Sequence, residues 1–224
     1  MGESINFLDS VPKVVRDIEA RKVNKEANRQ EALEFGHAYF DGTREQGYGG
    51  YTYDGRWQQV AARLIDHYGL KAGDRVLDVG CAKGFLVHDL RAALPGLEVL
   101  GVDVSTYALA QAHPGAAPHV MLADCRALPF EAASFDLVLA FNTIHNLVHD
   151  ECALALREIV RVSRGSAFVQ VDSYRDDSER ALFEDWMLTA QTYLKPDGWH
   201  EMFAATAYDG DYYWTILQSD GSNA

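Results

Sequence analysis

The chain contains 224 residues, of which 48% are hydrophobic and 11% aromatic, which suits one large domain or one domain with a small cap. Its formal net charge of −13 argues against nucleic acids and anionic membranes as partners, because phosphate groups are bound by basic faces. Dispersed cysteines, no signal-peptide pattern and no apolar run of membrane-spanning length predict a reduced, cytoplasmic protein. A small-molecule partner fits best, and a homodimer is left open.

The N-terminal region is charged and only weakly amphipathic. Residues 11–37 carry a broken apolar stripe of Val14, Val15, Ile18, Ala27 and Leu33. So weak a stripe folds only against another surface. We expect one or two helices here, lying over the main domain.

A segment rich in glycine and tyrosine follows at residues 39–57. We name residues 47–57 the tyrosine loop, after Tyr48, Tyr51 and Tyr53. Glycine allows mobility and aromatic rings attract cations, so the loop is predicted to be a lid over a cationic ligand, with Trp57 beside it. Arg56 is a candidate for binding a substrate carboxylate in a bidentate manner. The alternative is a structural loop that anchors the N-terminal helices.

A strand, a glycine turn and a helix then form the centre of the sequence. A helix over residues 55–68, capped by Asp54 and ended by Gly69, precedes a strand over residues 75–79. The strand runs into Asp78 and Gly80, and a second helix covers residues 85–94. This order builds a ligand crevice at the carboxyl edge of a parallel sheet.

The sequence of the turn distinguishes between two classes of cofactor. A dinucleotide site needs a glycine where this chain has Ala82. Asp78, Gly80 and Gly84 instead resemble motif I, hh(D/E)hGxGxG, of the class I S-adenosylmethionine (SAM) dependent methyltransferases, with Ala82 in place of the middle glycine. A turn that binds nothing is the remaining alternative.

Three further strands end in polar residues. The expected strands cover residues 97–103, 119–123 and 135–142, and Ser105 caps a helix over residues 106–112. The resemblance implies that Asp103 holds the SAM ribose and that Asp124, followed by Cys125, lies beside the adenine amino group. Asn142 ends the last of these strands, whose sequence resembles the family's FDhVh motif.

Two histidines follow Asn142. His145 and His149 are four residues apart, the spacing of a metal pair, but a third ligand is missing, so no metal is predicted. His145 is either a crevice residue, as base or substrate holder, or a packed histidine. Asp150 is expected to cap a helix over residues 151–161, and a strand over residues 167–172 brings Asp172 and Tyr174 to the same edge as rival catalytic groups.

The last third predicts a helix over residues 180–192, a second helix from Pro196 and a strand over residues 211–217. The resembled family ends in an antiparallel pair, but this sequence has room for only one clear strand after the helices, so six or seven strands are left open. The fold class is therefore α/β, a doubly wound, Rossmann-like and mostly parallel sheet with an N-terminal helical and loop cap. Residues 1–58 are assigned to the cap and lid, and residues 59–224 to the SAM-binding domain.

The resemblance implies a SAM-dependent methyltransferase that acts on a small molecule, in biosynthesis, by in-line displacement at the sulfonium. The alternatives are a non-methylating SAM enzyme, which cyclises SAM to azetidine-2-carboxylate and releases methylthioadenosine, and a non-catalytic SAM-binding protein. The predicted catalytic residues are His145, Asp172 and Tyr174. The predicted cofactor-binding residues are Asp78, Gly80, Cys81, Gly84, Asp103, Val104, Asp124, Cys125 and Asn142.

Overall fold

The computed structural model describes residues 2–12 and 16–218. The helices and strands of this part follow one another along the chain. They are α1 (Ile18–Lys22), α2 (Lys25–Leu33), α3 (His37–Asp41), α4 (Trp57–Tyr68), β1 (Arg75–Val79), α5 (Phe85–Ala93), β2 (Glu98–Asp103), α6 (Thr106–Ala110), β3 (Val120–Leu122), β4 (Phe135–Phe141), α7 (His149–Val162), β5 (Ser163–Asp172), α8 (Asp177–Trp186), α9 (Pro196–Thr206) and β6 (Asp211–Thr215).

The strands form one sheet in the order β3-β2-β1-β4-β5-β6, and every pairing between them is parallel. The order reverses between β1 and β4, where Val76 pairs with both Val99 and Leu137. In such a sheet a ligand crevice opens at the carboxyl ends of the strands beside the reversal. The doubly wound α/β fold class is confirmed.

Both faces of the sheet are covered, because successive residues of a strand point to opposite sides. Val76 packs with Val60 and Leu64 of α4 on one face. On the other face, Leu77 belongs to the cluster that holds Ile159 of α7 and Trp199 of α9. The continuous apolar character of β4 follows from this double coverage.

Several helix ends are set by the residues that the sequence indicated. Gly69 takes the left-handed conformation at the end of α4, and the Ser105 side chain accepts a hydrogen bond from the Ala108 N–H at the start of α6. Two caps were predicted wrongly. Arg56 is the N-cap of α4, with the Asp54 carboxylate accepting its N–H at 3.1 Å. Val148 is the N-cap of α7, which places Asp150 in the first turn.

The helix predicted over residues 180–192 ends at Trp186. Beyond it, Arg29 of α2 donates to the carbonyl oxygens of Leu188 and Ala190, and the Gln191 N–H donates to the His145 carbonyl oxygen. These contacts satisfy backbone groups outside a helix, so tertiary structure overrides helix propensity. The predicted helix was therefore too long.

A single strand follows the helices of the last third, and it differs from the antiparallel pair of the resembled family. β6 lies parallel to β5, with Val169 opposite Tyr212, and within residues 2–12 and 16–218 the sheet has six strands. The helix α9 supplies the crossover that a parallel connection needs. The alternative with six strands is the correct one.

The N-terminal residues lie against the main domain. The predicted helical region contains α1 and α2, whereas Val14 and Val15 fall outside the described residues. Phe7 is 1% exposed and contacts Phe168 of β5 edge to face, at 4.9 Å between ring centroids. Contacts therefore cross the predicted boundary at residue 58, and the division into two domains stays a prediction. No helix in the described ranges combines the length and apolar character needed to cross a membrane.

Candidate functional site

The turn after β1 is shaped by two glycines with positive φ. Gly80 has φ of 79°, and a Cβ there would lie 2.1 Å from the Thr143 Oγ1. Gly84 has φ of 71°, and its Cβ would lie 2.7 Å from the Ala116 Cβ. Both positions therefore require glycine for conformation and for close packing. Ala82, between them, takes the same left-handed region at φ of 50°.

A cavity of about 430 Å³ opens beside this turn, and we name it the glycine-turn cavity. It brings together six of the predicted cofactor residues. They are Gly80, Asp103, Val104, Asp124, Cys125 and Asn142. The predicted residues Asp78, Cys81 and Gly84 support the turn but are not part of this lining.

Asp103 ends β2 with its carboxylate held by backbone donors. Its Oδ2 accepts the Ala82 N–H at 2.7 Å, and its Oδ1 accepts the Ser105 N–H at 2.8 Å. Burial raises the pKa of Asp103, and these N–H donors work against that rise. The arrangement fixes an acceptor group at the mouth of the turn.

Asp78 is a buried carboxyl group, 4% exposed. In the described part of the chain no donor is found within hydrogen-bonding distance of it. Burial, with the negative charge of Asp103 second, raises its pKa to about 7. A buried acid without a protein partner is unusual and calls for a functional explanation.

Asp124 has a different environment. Its carboxylate pairs with Arg126 at 2.5 Å, and Arg126 also contacts Glu151. The Arg126 hydrogen bonds hold the pKa of Asp124 below its usual value. Cys125 beside it is buried, which raises the pKa of its thiol to about 12, so the thiol stays protonated.

A second cavity, of about 480 Å³, adjoins the first, and we name it the arginine cavity after Arg16, Arg21 and Arg44 in its lining. Tyr39, Tyr48 and Asn142 line both cavities and so form the junction between them. The two cavities therefore share part of their walls at these three residues.

His145 and Asp172 lie in the wall of the arginine cavity, whereas Tyr174 lines neither cavity. The Asp172 N–H donates to the His145 Nδ1 at 3.0 Å, which leaves the ring proton on Nε2. That Nε2 lies 3.4 Å from the Asp172 Oδ2. Burial lowers the pKa of His145, so the ring is neutral at pH 7 and orients the Asp172 carboxylate. Tyr174 instead faces Tyr193, at 6.3 Å between ring centroids.

The tyrosine loop packs on the first turn of α5. Tyr51 stacks on Phe85 at 4.9 Å between centroids, and the Tyr53 hydroxyl donates to the Asp89 Oδ1 at 2.6 Å. Trp57 contacts Phe141 at 5.6 Å. Arg56 forms an ion pair with Asp54 at 2.6 Å and lines neither cavity.

An ion pair ties the cap to the turn. Asp41, at the end of α3, accepts hydrogen bonds from the Lys83 Nζ at 2.6 and 2.7 Å and from the Tyr107 hydroxyl at 2.7 Å. The Tyr51 N–H donates to the same carboxylate at 3.1 Å. Lys83 belongs to the glycine turn, so loop, cap and turn share one anchoring carboxylate.

The sequence interpretation missed several residues of the site. Arg21, Arg44 and Tyr39 come from the cap, and Trp186 comes from the end of α8. These residues carry no local motif, and only their assembly in space reveals them. The Asp41 anchor had a weak signal, a carboxylate directly before the glycine-rich segment.

Metal coordination finds no support in the geometry. Over residues 2–12 and 16–218, no group of three or more His, Cys, Asp or Glu side chains could hold a metal ion. His145 is buried against Asp172, and His149 is exposed beside Asp150.

Comparisons with known proteins give a consistent result. Residues 76–165 match the family described as methyltransferase domain. The malonyl-[acyl-carrier protein] O-methyltransferase of Legionella pneumophila is 27% identical over 140 residues, which cover 60% of this chain and 49% of that protein. The ubiquinone/menaquinone biosynthesis C-methyltransferase UbiE of Syntrophotalea carbinolica is 32% identical over 114 residues, which cover 49% of this chain and 46% of that protein.

Solved structures agree at the level of the fold. A chain from the complex of the Haloferax volcanii Trm112 methyltransferase activator with a methyltransferase superposes with a TM-score of 0.52 at 20% identity. The match covers 68% of this chain and 72% of that one. The chain spans about half the length of the curated relatives named above.

Proposed function

We propose that the chain, whose residues 76–165 match the methyltransferase domain, is a SAM-dependent methyltransferase that transfers a methyl group to a small molecule bound in the arginine cavity. Its cofactor is SAM. The observation that carries the proposal is the junction at Tyr39, Tyr48 and Asn142, where the glycine-turn cavity meets a second cavity large enough for an acceptor.

The residues around the glycine-turn cavity fit this cofactor. Gly80 has no side chain to obstruct the turn, and Asp103 presents a carboxylate to hydroxyl groups of the kind a ribose carries. Asp78 lies behind the lining and has no hydrogen-bond donor among the described residues, so its carboxylate would favour a nearby positive charge such as an amino acid ammonium group. Val104 and Cys125 provide apolar surface for the adenine ring of SAM.

When bound, SAM supplies an activated methyl group on a sulfonium, whose transfer depends chiefly on alignment in a site from which water is excluded. Tyr39 and Tyr48 would restrict water at the junction and orient the acceptor with Asn142. Asp172 is the proposed base for an acceptor that must lose a proton, and His145 is its positioning partner. Tyr174 is retained as a rival by type alone.

The test separates methyl transfer from the cyclisation alternative. The protein is incubated with SAM, with and without a fraction of cellular small molecules, and the nucleoside products are identified by mass spectrometry. We expect S-adenosylhomocysteine and a methylated product only when the fraction is present. Methylthioadenosine from SAM alone would contradict methyl transfer. The curated relatives named above are methyltransferases and lend the cyclisation no support.

A pair of variants controls this experiment. Asp103→Ala should reduce both SAM binding and product formation, because it removes an acceptor in the glycine-turn cavity. Asp66→Ala removes an exposed carboxylate of α4 and should change neither. Equal losses in both variants would mean that the proposed cofactor contacts are not responsible.

A further inference from the structure

The arginine cavity ends in a cluster of guanidinium groups around one indole ring. The Arg21 Cζ lies 4.0 Å from the centroid of the Trp186 ring, and the Arg44 Cζ lies 5.5 Å from it. Arg16 stands over the same ring at 5.4 Å. Such a concentration of positive charge is notable in a chain whose net charge is −13.

Arg21 is buried to an extent that is rare for arginine, at 4% exposed. One Nη donates to the Gly47 carbonyl oxygen at 3.1 Å, and its Nε has no hydrogen-bond partner among the described residues. Burial, and next the charge of Arg44, lowers its pKa to about 10. A buried cation in this state is stabilised by an anion that brings its own acceptors.

The acids near the cluster have other contacts. Glu45 is close enough to Arg21 for the two charges to interact, and its carboxylate is hydrogen-bonded to the Thr43 side chain. In the described ranges neither Arg21 nor Arg44 forms an ion pair with a carboxylate, and Arg44 donates to the Tyr48 carbonyl oxygen at 2.9 Å. Of the two carboxylates in the lining, Asp9 pairs with Arg63 and Asp172 lies against His145. The charges of Glu45 and Asp172 act on Arg21 and Arg16, but among the described residues no carboxylate is paired directly with Arg21 or Arg44.

We propose that the methyl acceptor is a small anionic molecule, bearing a carboxylate or phosphate, whose charged group is bound by Arg21 and Arg44 beside Trp186. This inference rests on the proposed methyl transfer, since it places the anion at one end of the arginine cavity and the nucleophile at the junction with the glycine-turn cavity. Guanidinium groups bind both anions in a bidentate manner, and the indole provides a flat wall for the rest of the molecule.

The experiment uses simple probes matched in size. Benzoate, phenyl phosphate and the neutral benzamide are titrated by calorimetry into the full-length chain, with and without saturating S-adenosylhomocysteine. At least one anion should bind in both conditions, and benzamide should bind about 10-fold more weakly or worse, as expected when a charge-assisted pair is lost. The stronger of the two anions identifies the acceptor as a carboxylate or a phosphate compound.

Three variants locate the binding. Arg21→Gln and Arg44→Gln should each weaken the preferred anion about 10-fold or more. Arg180→Gln removes an exposed arginine of α8 that pairs with Glu184 and should leave binding unchanged. Arg44 is exposed, so its variant remains informative if the buried Arg21 cannot be replaced without loss of folding.

Results that contradict the anion site differ from those that contradict methyl transfer. The proposal of an anionic acceptor would be overturned if the folded wild type bound neither anion. It would also be overturned if Arg180→Gln weakened anion binding as much as the cavity variants do, or if S-adenosylhomocysteine displaced the anion. If the protein failed to bind S-adenosylhomocysteine but still bound benzoate or phenyl phosphate through Arg44, the proposed function would be overturned and the anion site would stand.

Discussion

The buried carboxyl of Asp78 makes stability depend on pH in a way that a single substitution can isolate. Asp78 lies at the end of β1, 4% exposed, and burial with the nearby Asp103 charge raises its pKa to about 7. In the unfolded chain an aspartate has a pKa of about 3.9. At pH values between about 3.9 and about 7, Asp78 is therefore ionised in the unfolded chain but protonated in the folded protein.

The sign follows from this difference. Because the folded state binds more protons, the free energy of unfolding falls as pH rises from about 4 to about 7 and is lowest above that window. A difference of about three pKa units corresponds to about 4 kcal/mol at most. Asp78→Asn removes the ionisation and should be more stable than the wild type at pH 8, by up to about 4 kcal/mol, with little difference at pH 4.

Urea unfolding at several pH values between 4 and 8 measures this directly. The wild type is compared with Asp78→Asn and with Asp66→Asn, an exposed carboxylate that should leave the pH dependence unchanged. We expect Asp78→Asn to flatten the decline in stability across the window. We also expect it to bind SAM more weakly, since the carboxylate is proposed to face a cation of the cofactor.

A parallel loss of stability in the wild type and Asp78→Asn as pH rises would show that ionisation of Asp78 does not cause the decline. Equal destabilisation of Asp78→Asn at pH 4 and pH 8 would show the same, because a neutral carboxyl and an amide would then differ for reasons other than charge.

Other predictions concern the turn and its anchor. Gly73→Ala should reduce the free energy of unfolding by about 1–2 kcal/mol, because Gly73 has a positive φ but an added Cβ would have no contact within 4 Å. Gly80→Ala should reduce it by more, because its φ is similar and the added Cβ would collide with Thr143; urea unfolding measures both variants. Asp103→Ala should weaken SAM binding by about 1–3 kcal/mol in calorimetry, and unchanged affinity would contradict the ribose contact. Asp41→Asn should destabilise by about 3 kcal/mol, because Lys83 loses its charged partner, and hydrogen exchange should speed up in the tyrosine loop. S-adenosylhomocysteine should slow that exchange in the wild type, and a loop equally protected without ligand would be only an anchor.

The sequence predicted those parts of the fold that are encoded locally. The bounds of β1 agree with the structure, because an apolar strand followed by Asp78 and Gly80 has few alternative conformations. The strand ends Asp103, Asp124 and Asn142 meet in one cavity, as the topology of a parallel sheet requires.

Features that depend on distant contacts were not predictable. The end of α8 at Trp186 is set by carbonyl groups that Arg29 of the cap holds, more than 150 residues away in sequence. Arg21 and Arg44 are likewise far from Trp186 in sequence, although all three line the arginine cavity. No periodicity or motif within a single segment records such pairings, and a lone arginine in a charged helix indicates only a solvated face.

The outer strand of the sheet also bears on how the protein is made. The Ile5 N–H donates to the Tyr212 carbonyl oxygen at 2.9 Å, and the Tyr212 N–H donates to the Glu3 carbonyl oxygen at 3.0 Å. During synthesis, residues 3–5 leave the ribosome long before Tyr212 exists, at a rate of about 5–20 residues per second. The edge of β6 is thus covered by a segment that is synthesised about 200 residues earlier and has no strand to pair with until then. Chain closure at this edge is a late event with high contact order, and we expect nascent chains that stop before β6 to keep residues 3–7 accessible to chaperones.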